Sequence, residues 1–70
     1  MYKNLEAEMV RRGIKRKDIS QILNVRYATV VQKLNGKYKF SLDEAFKIKE
    51  TCFPDLNFEY LFQNEDAKTN

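Results

Sequence analysis

The chain has 70 residues, enough for one domain, and at that size folding buries only ~60% of the unfolded surface, so its core is small. It carries 13 Lys+Arg against 10 Asp+Glu, a net charge of +3, with no histidine and a single cysteine, Cys52. These counts exclude an intramolecular disulfide and a thiolate zinc cluster, remove the commonest general base and metal ligand, and leave little room for a catalytic site with an enclosed cofactor. No enzyme activity, metal, cofactor or small-molecule ligand is expected. Charges interrupt every apolar stretch well short of the ~18 residues that span a bilayer, and residues 1–12 lack the apolar run of a secretory signal. The expectation is a cytoplasmic protein without membrane contact.

Residues 2–12 read as a first helix. Leu5 and Met9 fall four apart on one face, Ala7 and Glu8 are good helix formers, and Gly13 is the natural C-terminal cap. Residues 16–23 read as a second, with Ile19, Ile22 and Leu23 at i, i+3, i+4. Asn24 follows, a residue that tolerates the left-handed conformation of a tight turn, and Val25 is a lone apolar residue after it. A third helix runs from 26 or 27 to 35 with an apolar stripe of Val30, Val31 and Leu34. Its valines and threonine are poor helix formers, so packing must hold it. Gly36 ends it.

Ser41-Leu42-Asp43-Glu44 has the form of a capping box and opens a fourth helix, for which Leu42, Ala45, Phe46, Ile48 and Cys52 supply the expected buried face. Pro54 stops it. Residues 57–62 read as a short fifth helix, and 63–70 as a frayed polar tail. The class is all-α, five short helices in one domain over residues 1–62.

Charge is segregated along this chain. Residues 1–39 hold ten basic residues against three acids, a net +7, and residues 40–70 hold three against seven, a net −4. Between 11 and 39 there are nine basic residues and the single acid Asp18. Such a basic half suits a polyanion, most often nucleic acid.

Two short helices meeting at Asn24, with the small Ser20 on the adjoining face and apolar Val25 and Val30 beyond, resemble the helix-turn-helix of the phage Cro and repressor family. The following Lys33-Leu34-Asn35-Gly36-Lys37, and then the capped helix from Phe40 to Ile48, look like the next part of its small members, so the likeness covers residues 3–62. Asn24 stands where that family most often has glycine, and Lys33 where many members bury leucine or isoleucine. The resemblance implies a lambda-repressor-like DNA-binding domain with its helix-turn-helix at about 16–35, acting as a prokaryotic or phage transcriptional regulator and most simply a repressor that occludes polymerase.

In that family the third helix enters the major groove and presents its N-terminal residues to base edges. Transferred residue by residue, the base-facing positions are Tyr27, Ala28 and Gln32, with Arg26 and Thr29 beside them. Glutamine can bond adenine in bidentate fashion, arginine the O6/N7 edge of guanine, and alanine or threonine can touch a thymine methyl. Backbone contacts fall to Arg16 and Asn35 by resemblance, and to Lys17, Lys37 and Lys39 by charge and position. The implied partner is a two-fold symmetric double-stranded operator bound by a homodimer, whose contact is assigned to the C-terminal aromatics Phe53, Phe58, Tyr60 and Phe62; the same aromatics equally suit a core cap under the first helix. The competing reading is a protein-binding adaptor on the same scaffold, such as an antirepressor or small phage inhibitor, using its basic half against an acidic protein surface.

Overall fold

The computed structural model describes residues 2–63. Met1 and residues 64–70, all but the first residue of the tail expected to fray, lie outside them. The described residues form five helices and no strand: α1 Lys3–Arg12, α2 Arg16–Leu23, α3 Tyr27–Leu34, α4 Leu42–Cys52 and α5 Phe58–Leu61. No helix among them is long and apolar enough to cross a membrane.

Each boundary has a local cause. Gly13 takes φ +69° after α1, and its amide closes the last turn on the carbonyls of Met9 and Val10. Asn24 adopts the left-handed conformation, φ +58° and ψ +47°, after α2. It is the one non-glycine residue with positive φ among those described, and its cost is lowest for Asn, Asp and Gly. The α2–α3 connection therefore stays tight without glycine. At α4 both halves of the capping box form: the Glu44 amide donates to Ser41 Oγ at 3.1 Å and the Ser41 amide to Glu44 Oε1 at 2.9 Å. The short α5 is capped by Asn57 Oδ1, which accepts from the Tyr60 amide at 2.9 Å.

The core gathers one face of every helix. Leu5, Ile19, Val30, Leu34, Ile48, Phe53 and Leu61 are fully buried, with Tyr2 and Met9 beside them. Burying each large apolar side chain stabilises the fold by about 1.5–3 kcal/mol. Helix α2 packs on both α3 and α4, and α5 packs on α1 and α4. Ile14, Ile22, Leu23 and Val25 close the core beside α2, so the turn at Asn24 is clamped from within.

Polar ties then fix the outer elements. Arg12 makes two parallel bonds to Asp55, at 2.9 and 2.8 Å, and a third to the Cys52 carbonyl at 3.1 Å, while its guanidinium lies over the Phe53 ring. This hydrogen-bonded pairing raises the Arg12 pKa and lowers that of Asp55. Glu8 is buried, and its carboxylate accepts from the Tyr60 hydroxyl at 2.8 Å and from Arg11 at 2.7 Å. A buried carboxylate is tolerable only when so paired. The bond to Glu8 also holds the Tyr60 hydroxyl above its ordinary pKa.

Two expectations about apolar residues are corrected here. Leu42 and Phe46, assigned above to the buried face of α4, are 64% and 47% exposed. The helix turns ~100° per residue, so 42 and 46 form a stripe adjacent to that of Ala45, Ile48 and Cys52, and the second stripe is the one that meets α2. Phe53, assigned to a dimer contact, is wholly buried and is a core residue. Val31 is half-buried at the edge of the α3 stripe, while Val30 and Leu34 form its centre. Cys52 is half-buried, and burial pushes its thiol pKa up, as befits a packing residue.

Candidate nucleic-acid interface

Helix α3 is buried along one side and open along the other. Val30 and Leu34 are fully buried. Ala28 and Gln32, also four apart, lie opposite them: Ala28 is exposed and Gln32 half-buried. Arg26 caps the helix in extended conformation and is exposed, and Tyr27 in the first turn is 55% exposed. Thr29 is half-buried on the flank. Four of the five residues transferred to base contact thus form an accessible group at the start and on the outer side of α3, with Thr29 at its margin.

The orientation of α3 depends on Lys33. Leu34, one place on, takes the buried position, and Lys33 lies against α4 and the loop before it. Its ammonium pairs with Glu44 and sits 5.8 Å from the Phe40 ring centroid. Burial opposes ionisation of Glu44, but the hydrogen bonds from Lys33 and from the Ser41 amide outweigh it, and its pKa falls below the ordinary value. The Glu44 carboxylate thus serves α4 as a cap and α3 as a partner. A cation at this position therefore leaves Ala28 and Gln32 outward.

Cations stand at both ends of α3. At the N-terminal end, Tyr27 lines a groove together with Lys15, Arg16 and Lys17, and with Met9, Val10 and Ile14. Lys17 is exposed and Arg16 half-buried. The Asp18 carboxylate accepts from the Lys15 amide at 2.9 Å, so the one acid of this window is engaged in capping α2. The amides of Arg16 and Lys17, in the first turn of α2, have no intrahelical acceptor. At the other end, the Lys37 amide donates to the Gln32 carbonyl at 3.0 Å, which turns the chain back against α3. Asn35 and Lys37 are exposed there, and the Lys37 ammonium lies 5.9 Å from the Tyr38 ring centroid. Lys39 is exposed, and no hydrogen bond or ion pair among the described residues ties it to this group.

Three of the nine basic residues in the window are engaged elsewhere: Arg11 with Glu8, Arg12 with Asp55 and Lys33 with Glu44. Among the described residues, Lys15, Arg16, Lys17, Arg26, Lys37 and Lys39 form no ion pair. Lys15 was not singled out from sequence; its place in the Lys15-Arg16-Lys17 run was the available signal.

The remaining dimer candidates divide. Tyr60 is 38% exposed and is spent on holding α5 to α1. Phe62 packs edge-on against Tyr2 and Phe40. Phe58 is half-buried between Phe62 and Phe46, with the Phe46 ring centroid 5.0 Å away. The described residues hold no cluster of potential metal ligands.

No protein-family model matches this chain, and no curated protein or solved structure matches it either.

Proposed function

We propose that the chain is a sequence-specific double-stranded DNA-binding transcriptional regulator. It has a lambda-repressor-like domain in which α2 and α3 are the helix-turn-helix, and it acts as a homodimer on a two-fold symmetric operator. The observation that carries this reading is the open side of α3, with Arg26, Tyr27, Ala28 and Gln32 accessible and, beside both ends, cations that form no ion pair among the described residues. A helix is ~10–12 Å across its side chains, and the major groove is ~12 Å wide, so α3 fits lengthwise. Gln32 then offers its amide to adenine N6/N7 and Arg26 its guanidinium to guanine O6/N7. Ala28 and Thr29 reach thymine methyls, and the Tyr27 hydroxyl bonds a phosphate. Arg16, Lys17, Asn35, Lys37 and Lys39 hold the backbone, aided by the free amides at the start of α2. Occupying an operator requires neither catalysis nor a cofactor. Repression follows by exclusion of polymerase.

The test is titration of random duplex DNA at low salt, followed by selection of a preferred site. Binding to random duplex and recovery of a two-fold symmetric consensus are expected. No measurable duplex affinity at low salt refutes the reading.

One observation favours a protein-binding adaptor instead. The groove between α1 and α2 is lined by the apolar Met9, Val10, Ile14 and Tyr27 and by three cations, Lys15, Arg16 and Lys17, against the one acid Glu6, and Val10 is 81% exposed. An acidic segment with an apolar anchor suits it. Replacing Arg26 and Gln32 by Ala separates the two: loss of site preference supports DNA reading, and unchanged preference with lost capture of an acidic partner supports the adaptor.

A further inference from the structure

The outward side of α4 carries a pattern that matches itself. Leu42 and Phe46 form an exposed apolar stripe one helical turn long, widened by Phe58 of α5 against the Phe46 ring. Along one flank lie Asp43 and Lys47, also four apart and both exposed, with exposed Glu50 a turn beyond Phe46. The flank therefore reads acidic, basic, acidic at 43, 47 and 50.

We propose that this face of α4 is a contact between two copies of the chain, packed antiparallel about a two-fold axis at the level of Ala45. A two-fold axis perpendicular to both helices keeps the charged flank of each copy on the same side of the contact, so residues whose numbers sum to about 90 stand opposite. Asp43 then faces Lys47 of the second copy, and symmetry repeats the pair. Leu42 and Phe46 of the two copies are offset along the axis by about 3 Å, a spacing at which side chains interleave. Glu50 reaches the start of the second copy's α4, where the positive end of the helix dipole favours a carboxylate. Parallel packing, with the axis along the helices, would put the two charged flanks on opposite sides of the contact and leave Asp43 and Lys47 without each other. Flanking charges of this kind choose partner and direction rather than supply most of the affinity, which comes from the apolar stripe. The contact belongs to α4 and Phe58, not to Phe53, Tyr60 or Phe62, and it forms without DNA, so it stands or falls independently of the nucleic-acid reading.

Sedimentation equilibrium of the full chain without DNA tests it. The wild-type chain is expected to dimerise with rising concentration. Asp43→Lys and Lys47→Asp, each alone, set like charges opposite and weaken self-association about tenfold or more. An equimolar mixture of these two variants places Lys opposite Asp at both symmetric positions and restores dimers as heterodimers; the double variant D43K/K47D restores them within one chain. Phe46→Ser abolishes association in every background. Circular dichroism checks that each variant stays helical, and recovery on mixing is a gain that loss of folding does not produce. A wild-type chain that stays monomeric up to about 1 mM overturns the proposal. So do charge variants that associate like wild type, or a mixture that stays monomeric.

Discussion

The salt dependence of duplex binding is where the structure and the bare composition give different numbers. Nine basic residues between 11 and 39 would, at about 0.9 counterions released per phosphate contact, give log Kobs a slope near −8 against log[salt] for each protomer. The ion pairs of Arg11, Arg12 and Lys33 withdraw three of them. Six remain, Lys15, Arg16, Lys17, Arg26, Lys37 and Lys39, so the slope expected is about −5. Raising salt from about 50 to about 200 mM then costs about 10³ in affinity, against about 10⁵ for nine contacts. Lys37→Ala removes one contact. It is expected to make the slope shallower by about one and to weaken preferred and random sites alike. Arg12→Ala, which removes a charge already engaged with Asp55, leaves the slope unchanged. Fluorescence anisotropy of a labelled random duplex over a series of KCl concentrations measures all three proteins. A wild-type slope near −8, or a Lys37→Ala slope equal to wild type, refutes this division of the cations.

Three further outcomes follow from individual contacts. Gln32→Ala is expected to cost ~1–3 kcal/mol on the preferred operator and nothing on random DNA, measured by competition titration; an equal loss on both would place Gln32 on the phosphate backbone. Asn24→Ala is expected to destabilise the fold by about 1 kcal/mol in urea denaturation, because alanine pays more than asparagine for the left-handed backbone, while Asn24→Gly is neutral or stabilising. Equal stability of the alanine variant would show that the turn relaxes. Glu44 has a folded-state pKa below its ordinary value of 4.5, so its carboxylate stabilises the fold above that pH, and the contribution disappears as pH falls through the lower folded value. Glu44→Gln should therefore lower the melting temperature at neutral pH, where it also leaves Lys33 without its anionic partner, and flatten the acid limb below about pH 4.5. Parallel melting-pH curves for the two proteins would remove Glu44 from the account.

The helix ends were the most legible part of this chain. Gly13, Asn24 and the Ser41–Glu44 box act on backbone groups within a few residues, so residue type and spacing are sufficient to place them. The five helices fall within a residue or two of where periodicity puts them. The outward residues of α3 were less legible. The sequence carries Lys33 where an apolar residue is usual in the family it resembles, and only Glu44, eleven positions on, explains how that lysine is accommodated without rotating the helix. The nine-cation window overstated the free charge for the same reason, since the partners of Arg12 and Lys33 lie in α4 and the turn beyond it.

Local order was set by the sequence itself: five helices, their caps, and an excess of positive charge in the first 39 residues. These depend on neighbours along the chain, and a periodic stripe suffices to announce an amphipathic helix. The tertiary structure decided which of two adjacent stripes of α4 meets the core, exposing Leu42 and Phe46 and burying Ala45 and Ile48. It also placed Phe53 inside and drew Tyr60 onto Glu8 across 52 positions. Adjacent stripes on a helix are equally apolar to a reader of the sequence; only the surface that α2 presents to α4 selects between them.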